Sequence, residues 1–327
     1  HFKIIIIDMI VIQDREVRSL GLKPKDFIDS VRHCFVHKLE CQLPPKISLH
    51  PKNDDFINTM PCLLPPETNR YGVKIVSRVK GRTPALKSDS MLYDVTTGEL
   101  LAVIDCDYIT TMRTGAVAAL AVDTLKKNNV KKIALMGLGN TSRATMMCLS
   151  SILPPPPDNK YEVSLLKYKD QAEQFIEHFK NLDNFHFTIA NDTKELFENA
   201  DVIISCITQA NGLFIDDVNV FKPGVLVVPV HTRGFQNCDT IFDKVVCDDI
   251  GHVKGFKYFN QFKNLTELGD ILRGDKPGRQ SEEERIIDYN IGLGLHDAYI
   301  CSKVYDAVKA QPHENIELVH STQKYII

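Results

Sequence analysis

The chain has 327 residues, 43% hydrophobic and 25% charged, with a formal net charge of −3. That length exceeds one small core and points to two domains of ordinary globular composition. Near-neutral charge offers no basic field for nucleic acid, and no apolar run approaches a membrane span, so neither partner is expected.

The first apolar run, residues 2–12, is interrupted by Asp8 and reads as a buried strand rather than a signal peptide. Strands are expected at residues 3–7, 56–60, 73–79, 91–94 and 100–104, the last two joined by a turn at Thr97-Gly98. Residues 24–39 predict an amphipathic helix with Phe27, Ile28, Val31, Phe35 and Leu39 on its apolar side. Together these make an α+β domain with a mostly antiparallel sheet.

From residue 130 to about 250 strand and helix alternate. Strands are expected at 133–136, 162–166, 187–189, 202–206, 225–230 and 245–247, with helices at 141–149 and 171–180. Apolar strands alternating with helices predict an α/β fold: a doubly wound parallel sheet covered on both faces. Residues 154–157 form a stiff proline loop inside it. From about 264 on the chain reads as helical, chiefly at 265–272 and 293–308. The last helix is placed to return to the first domain.

Nine cysteines are scattered without a single CxxC pair. They read as small buried hydrophobes in a reducing compartment, the cytoplasm, rather than as a disulfide frame or a metal site.

The sharpest local signal is the stretch from Lys131 to Arg143. An apolar strand runs into Gly137-Leu138-Gly139-Asn140-Thr141-Ser142, and a helix follows. Gly137 suits the tight turn, Gly139 lets the backbone approach a pyrophosphate, and Ser142 is small enough for close helix packing. The helix start at Asn140, Thr141 and Ser142 then offers N–H groups and a positive dipole end to phosphates. Where an acidic residue would bind the adenosine ribose of NAD, this chain has Lys167 and Lys169, with Arg143 also at hand. Cations there attract a 2′-phosphate, so NADP(H) is favoured over NAD(H).

Further segments extend the pattern: Gly72-Val73-Lys74, Thr110-Thr111-Met112-Arg113-Thr114-Gly115, Ile271-Leu272-Arg273-Gly274, Gly278-Arg279-Gln280-Ser281, and Asp288-Tyr289-Asn290-Ile291-Gly292 with Asp297. In order and spacing they resemble the ornithine cyclodeaminase/mu-crystallin family, over residues from about 46 to 300. The resemblance implies a Rossmann domain, residues 126–290, inserted in a discontinuous substrate and dimerisation domain, residues 1–125 plus 291–327. It also implies a homodimer. Members include ornithine cyclodeaminase, amino-acid dehydrogenases and ketimine reductases, so fold and cofactor carry over better than substrate.

On that resemblance Lys46, Lys74 and Arg113 bind the substrate carboxylate, although Lys46 stands where cyclodeaminases have an arginine and lacks its fork. Asn290 and Gly292 match the stretch beside the nicotinamide. Thr114, Thr208 and Val230 are further cofactor contacts, and Asp297 and Arg279 are expected to be structural, on a helix surface and in a loop. Two positions depart from cyclodeaminases. Asn58 replaces a glutamate before Met60-Pro61, and His231 falls where a catalytic aspartate follows a strand. Histidine transfers protons near neutral pH but cannot, when charged, pair with a cationic δ-amine. The expected enzyme therefore acts at the α-carbon of an amino acid or its imine, as a ketimine reductase or dehydrogenase, with Lys74, Arg113 and His231 catalytic. The alternatives are a true ornithine cyclodeaminase, giving proline plus ammonia, and an NADP-dependent ligand-binding protein like mu-crystallin.

Overall fold

The computed structural model describes residues 4–52, 55–156, 160–208, 210, 212–232, 234–236, 238–313 and 315–321. The expected strand start at Lys3 and the end of the proline loop at Pro157 lie outside them. The chain opens with β1 (Ile4–Ile12), α1 (Asp14–Ser19) and α2 (Pro24–Val36). Five strands follow: β2 (Ile47–Leu49), β3 (Phe56–Leu63), β4 (Arg70–Arg78), β5 (Leu86–Asp94) and β6 (Leu100–Asp105). Next come α3 (Asp107–Leu125), β7 (Lys132–Met136), α4 (Asn140–Ile152), β8 (Tyr161–Leu166), α5 (Gln171–Phe179), β9 (Phe185–Ala190) and α6 (Thr193–Phe197). The remainder is β10 (Val202–Ser205), β11 (Leu226–Pro229), β12 (Lys244–Cys247), α7 (Ile250–Val253), β13 (Thr266–Glu267), α8 (Leu268–Arg273), β14 (Ile286–Tyr289), α9 (Gly294–Val308) and β15 (Asn315–Ser321).

Two compact units result. The first comprises His1–Lys23, His37–Thr110 and Leu293–Ile327; the second comprises Pro24–Val36 and Thr111–Gly292. Thus α2 and most of α3 group with the second unit, whereas their place in the chain suggests the first.

The first unit holds a seven-stranded sheet, β15-β1-β6-β5-β4-β3-β2. All its pairings are antiparallel except β1 with β6. Alternation along β3, β4 and β5 puts Met60, Cys62, Val76 and Leu92 on one buried face. Helix α9 packs on these three strands. It comes close at Gly72, where a Cβ would stand 2.6 Å from that of Ala298.

The second unit holds an eight-stranded sheet, β13-β12-β14-β11-β10-β7-β8-β9, parallel throughout. Its inner strands β10, β11, β12 and β14 are short and buried at every residue, so both of their faces are covered. One face is closed by Phe197, Phe221, Phe235 and Phe242 over Val227, Val245 and Ile287. The region after residue 264, expected to be helical, contains β13, β14 and β15 as well as α8 and α9. β14 lies inside the parallel sheet between β11 and β12. Four residues carrying Asp288 gave too short an apolar run to reveal a strand. Helix α2 also ends earlier than expected, and Leu39 is exposed in the turn beyond it. Among the described residues no helix is long and apolar enough to cross a membrane.

Candidate active site

In the second unit the functional positions follow from strand ends. Parallel strands leave their last carbonyls and the following loops along one edge, where ligands of such sheets bind. From β7 the chain turns at Gly137, with φ +78°. A side chain there would meet the backbone of Cys206 and Ile207 at about 2.5 Å, so only glycine fits. Ser142 closes the loop from within, its Oγ donating to the Gly137 carbonyl at 2.9 Å. Gly139 is the N-cap of α4 and faces open space at its missing Cβ. Such a turn, followed by a helix of 13 residues, fits a pyrophosphate. Asn140 and Thr141 begin that helix, and the Nε of Arg143 is buried without a hydrogen-bond partner.

Beside this loop, β8 is followed by Lys167, Tyr168 and Lys169, all exposed. Lys169 has a left-handed backbone, and its ammonium lies 5.5 Å from the Tyr168 ring centroid. Thr208 is exposed beyond β10. Val230 continues the edge, its N–H donating to the Ser205 carbonyl at 3.0 Å.

His231 follows at the same edge. Its Nε2 lies 2.6 Å from Ser205 Oγ, and its ring stacks on Phe235 and meets Phe214 edge-on. A serine and two aromatic rings therefore fix the imidazole in one orientation. The nearest carboxylate downstream, Asp239, is taken up elsewhere: it is buried and accepts a hydrogen bond from the Tyr289 hydroxyl. Burial pushes the Asp239 carboxyl up to about 6 against the effect of that bond.

A third cluster forms where β12 and β14 end. Arg113, on α3 with Thr114 half-buried beside it, is buried against Gly292. A Cβ on Gly292 would stand 3.1 Å from Arg113 Nη1, and Gly292 has φ +104°. The Gly292 N–H donates to Asp248 Oδ2 at 2.5 Å, and the other oxygen of Asp248 lies 3.0 Å from His252 Nδ1. Asn290 donates from Nδ2 to Asp288 Oδ2 at 2.9 Å. Its own Oδ1 is buried and has no hydrogen-bond partner. Burial pushes the Asp288 carboxyl up to about 7; the Asn290 bond opposes this and the charge of Asp248 adds to it.

In the first unit, Lys74 sits on β4 with its side chain buried. Its Nζ donates to Asp297 Oδ2 on α9 at 2.7 Å. Thr110 Oγ1 donates to the other oxygen of Asp297 at 3.0 Å. Asp297 is therefore not the helix-surface residue expected from the sequence but the buried counter-ion of Lys74. Asn58 shares the face of Lys74, because Met60 pairs with Lys74 and Asn58 with Val76. Its Oδ1 is buried without a partner. Lys46, half-buried, precedes β2, whose Ser48 pairs with Asn58. Arg279 holds the carbonyl of Leu125 at the end of α3 and that of Ser281, a structural role.

The structure thus places Asn58 and Lys74 on one sheet with Lys46 just before its edge strand, and the glycine loop, His231, Arg113, Asn290 and Gly292 in the other unit. Sequence reasoning misses Asp248, His252 and Asp288. The available signal is a carboxylate within each of two apolar strand ends, Cys247-Asp248 and Ile287-Asp288.

A parallel sheet with a glycine turn between β7 and α4, and polar groups converging on its carboxyl edge, defines a dinucleotide-binding α/β protein. The chain belongs to the ornithine cyclodeaminase/mu-crystallin family, whose model matches residues 8–312. It is 27% identical over 274 residues to the nodulation efficiency protein NfeD of Rhizobium meliloti, covering 80% of this chain and 83% of that one. It is 23% identical over 266 residues to the Δ1-pyrroline-2-carboxylate reductase of Bacillus cereus, covering 77% and 78%. Among solved structures it is similar to the Δ1-pyrroline-2-carboxylate reductase of Thermococcus litoralis, in complex with NADH and L-proline. That match has a TM-score of 0.82 at 21% identity and covers 94% of this chain and all of the other.

Proposed function

We propose that this protein is an NAD(P)-dependent enzyme of α-imino and α-amino acids, working chiefly as a ketimine reductase. The observation that carries the reading is the packing of the Arg113 guanidinium on Gly292, next to Asn290, on a unit whose strand-end edge bears the dinucleotide loop. A guanidinium there binds a substrate carboxylate through a charge-assisted, bidentate contact. That contact would hold the substrate at the strand-end edge that bears the dinucleotide loop, and the space Gly292 leaves is what admits the guanidinium. The reductase relatives support the substrate class.

When bound, the nicotinamide supplies the hydride. With hydride delivered to the imine carbon, the imine nitrogen would need one proton to complete the amine. His231 is the group we assign to that proton, with Ser205 holding its ring. Arg113 neutralises the carboxylate; Lys74, held by Asp297, and Lys46 and Asn58 on the first sheet are assigned to the substrate on the family resemblance alone. Neither His231 nor Asn58 supplies the carboxylate that cyclodeaminases carry at these positions, which is why reduction is favoured over cyclisation.

Lys167, Lys169 and Arg143 support NADP(H) over NAD(H), and Thr114, Thr208 and Val230 are assigned to the cofactor with the glycine loop. In domain terms, residues 126–290 bind the dinucleotide, and 1–125 with 291–327 bind substrate and dimerise. The outer face of the first sheet supports a homodimer: Ile47, Leu49, Ile57 and Ile75 share it and are 60%, 61%, 38% and 37% exposed. Eight of the nine cysteines are buried as thiols suited to a reducing cytoplasm. The test is a panel of cyclic and open-chain α-imino acids with NADPH and NADH, followed at the nicotinamide absorbance band. Oxidation of cofactor by none of them overturns the reading.

A further inference from the structure

The end of β14 holds two buried acceptor oxygens for which the protein supplies no donor: Oδ1 of Asn290 and Oδ1 of Asp288. Buried polar atoms are satisfied in nearly all native structures, and a remaining orphan asks for a ligand group or water. Asn290 is 3% exposed and Asp288 is fully buried. The Asn290 N–H donates to the Pro229 carbonyl at 3.0 Å, so the residue sits between the ends of β11 and β14, at the ligand edge. Two residues on, Gly292 carries the Arg113 guanidinium.

The two ends of an asparagine amide have nearly the same shape, and its neighbours decide which way it points. Here Asp288 Oδ2 lies 2.9 Å from Nδ2. An acceptor at that place requires the NH₂ end and turns the carbonyl end away. We propose that Asp288 is a positioning residue for the cofactor: it fixes the Asn290 amide so that its carbonyl accepts an N–H from the nicotinamide carboxamide. A carboxamide offers two N–H donors, which matches the deficit of donors around Asn290. The lock does not depend on the charge of Asp288. Its carboxyl is pushed up to about 7, chiefly by burial, and a proton on Oδ1 leaves Oδ2 an acceptor. Neither Asp288 nor its link to Asn290 is required by the glycine loop, so this assignment goes beyond the cofactor reading while resting on it.

The test compares reduced nicotinamide dinucleotides with their 3-acetylpyridine analogues, which keep the carbonyl and lose the NH₂. Binding is measured by titration calorimetry on the full-length protein without substrate. The parent should bind the carboxamide cofactor about tenfold more tightly than the acetyl analogue, the loss of one good hydrogen bond. Asp288→Leu should bring the two within about twofold, chiefly by weakening the carboxamide form. Asn290→Leu should do the same, and the double variant should be no worse than Asn290→Leu alone, because Asp288 acts through Asn290. Independent, additive losses would mark Asp288 as merely structural and overturn the proposal. So would equal affinity of the parent for both cofactors, which needs no variant to fold. Failure of the parent to bind any reduced nicotinamide dinucleotide would instead remove the cofactor reading, and this inference with it.

Discussion

The Lys74 ammonium and the Asp297 carboxylate meet at 2.7 Å with side chains 1% and 0% exposed, although they lie 223 residues apart. One comes from the middle of a sheet and the other from the helix that covers it. Charges taken so far from water persist only when paired and hydrogen-bonded, and Thr110 supplies a further bond.

Removing one member of this pair should therefore cost more than removing both. Asp297→Ala leaves a buried ammonium uncompensated and should destabilise the fold by about 3–5 kcal/mol. Lys74→Met with Asp297→Leu should be milder than either single change. Urea unfolding of the three variants checks the order. If Asp297→Ala unfolds like the parent, the ion pair has no structural weight.

Arg113 and Gly292 should act together. Gly292→Ala places a methyl 3.1 Å from Arg113 Nη1 at a φ of +104°, so it should shift the guanidinium and lower kcat/KM without touching substrate itself. Arg113→Ala removes a buried charged contact and should cost about 2–5 kcal/mol of transition-state stabilisation. Steady-state kinetics on the best imino acid decides both. Turnover within a few-fold of the parent in Arg113→Ala removes the residue from the site.

What could be read in the sequence was what is local. The glycine turn, the strands before and after it and the alternation of β7 to β12 depend on neighbours a few residues apart, and they stand where expected. Leu39 failed because an apolar residue at helical spacing does not say where a helix stops. Asp297 failed because its partner comes from β4, and no pattern along α9 announces a lysine from another element. Asp248 and Asp288 hid for a related reason: a carboxylate at the end of an apolar strand reads as the edge of a loop until the fold buries it. The candidate site residues named from the sequence came from family motifs rather than from periodicity.

The proposed preference for NADP(H) rests on the residues that follow β8. Lys167 and Lys169 are exposed there, so their ammonium groups are available to a 2′-phosphate. NADPH should bind more tightly than NADH, and Lys167→Asp with Lys169→Ser should reverse the order. Calorimetric titration with each cofactor measures it. Tighter NADH binding by the unaltered protein would defeat the argument.

Buried carboxyls should shape the pH dependence of stability. Asp288, raised to about 7, and Asp239, raised to about 6, both hold protons more tightly in the folded than in the unfolded chain. Their contribution is therefore fully present below the ordinary carboxylate pKa, and it is lost as pH rises through about 6 to 7. A tenfold difference in proton affinity between the two states corresponds to about 1.4 kcal/mol, so Asp288 alone accounts for a few kcal/mol across that window. Asp201 runs the other way. Despite burial, Lys127, Lys222 and two backbone N–H groups lower it to about 2, so its contribution fades only in strong acid. Asp288→Asn should flatten the decline between about pH 4 and 7. Urea midpoints across that range test it, and an unchanged slope would contradict the assignment.

On the proposed assignment, His231 separates imine reduction from ornithine cyclisation. Cyclisation of ornithine needs a group that takes a proton from the δ-amine and tolerates its positive charge, a task for a carboxylate. His231, bound to Ser205 and flanked by Phe214 and Phe235, offers a neutral or cationic ring instead. Incubation with ornithine and NAD(P)⁺ should therefore yield neither proline nor ammonia, while α-imino acids are reduced by NADPH. His231→Asp should lower imine reduction, because the carboxylate lacks the ring's proton and its stacking. If the same substitution raises proline formation from ornithine, this position governs the choice between the two chemistries. Ser205→Ala should reduce turnover by a smaller factor than His231→Ala, since it frees the ring without removing it. Stoichiometric proline and ammonia from the unaltered protein, with no net change in the nicotinamide, would show that an imidazole suffices and that the protein is a cyclodeaminase.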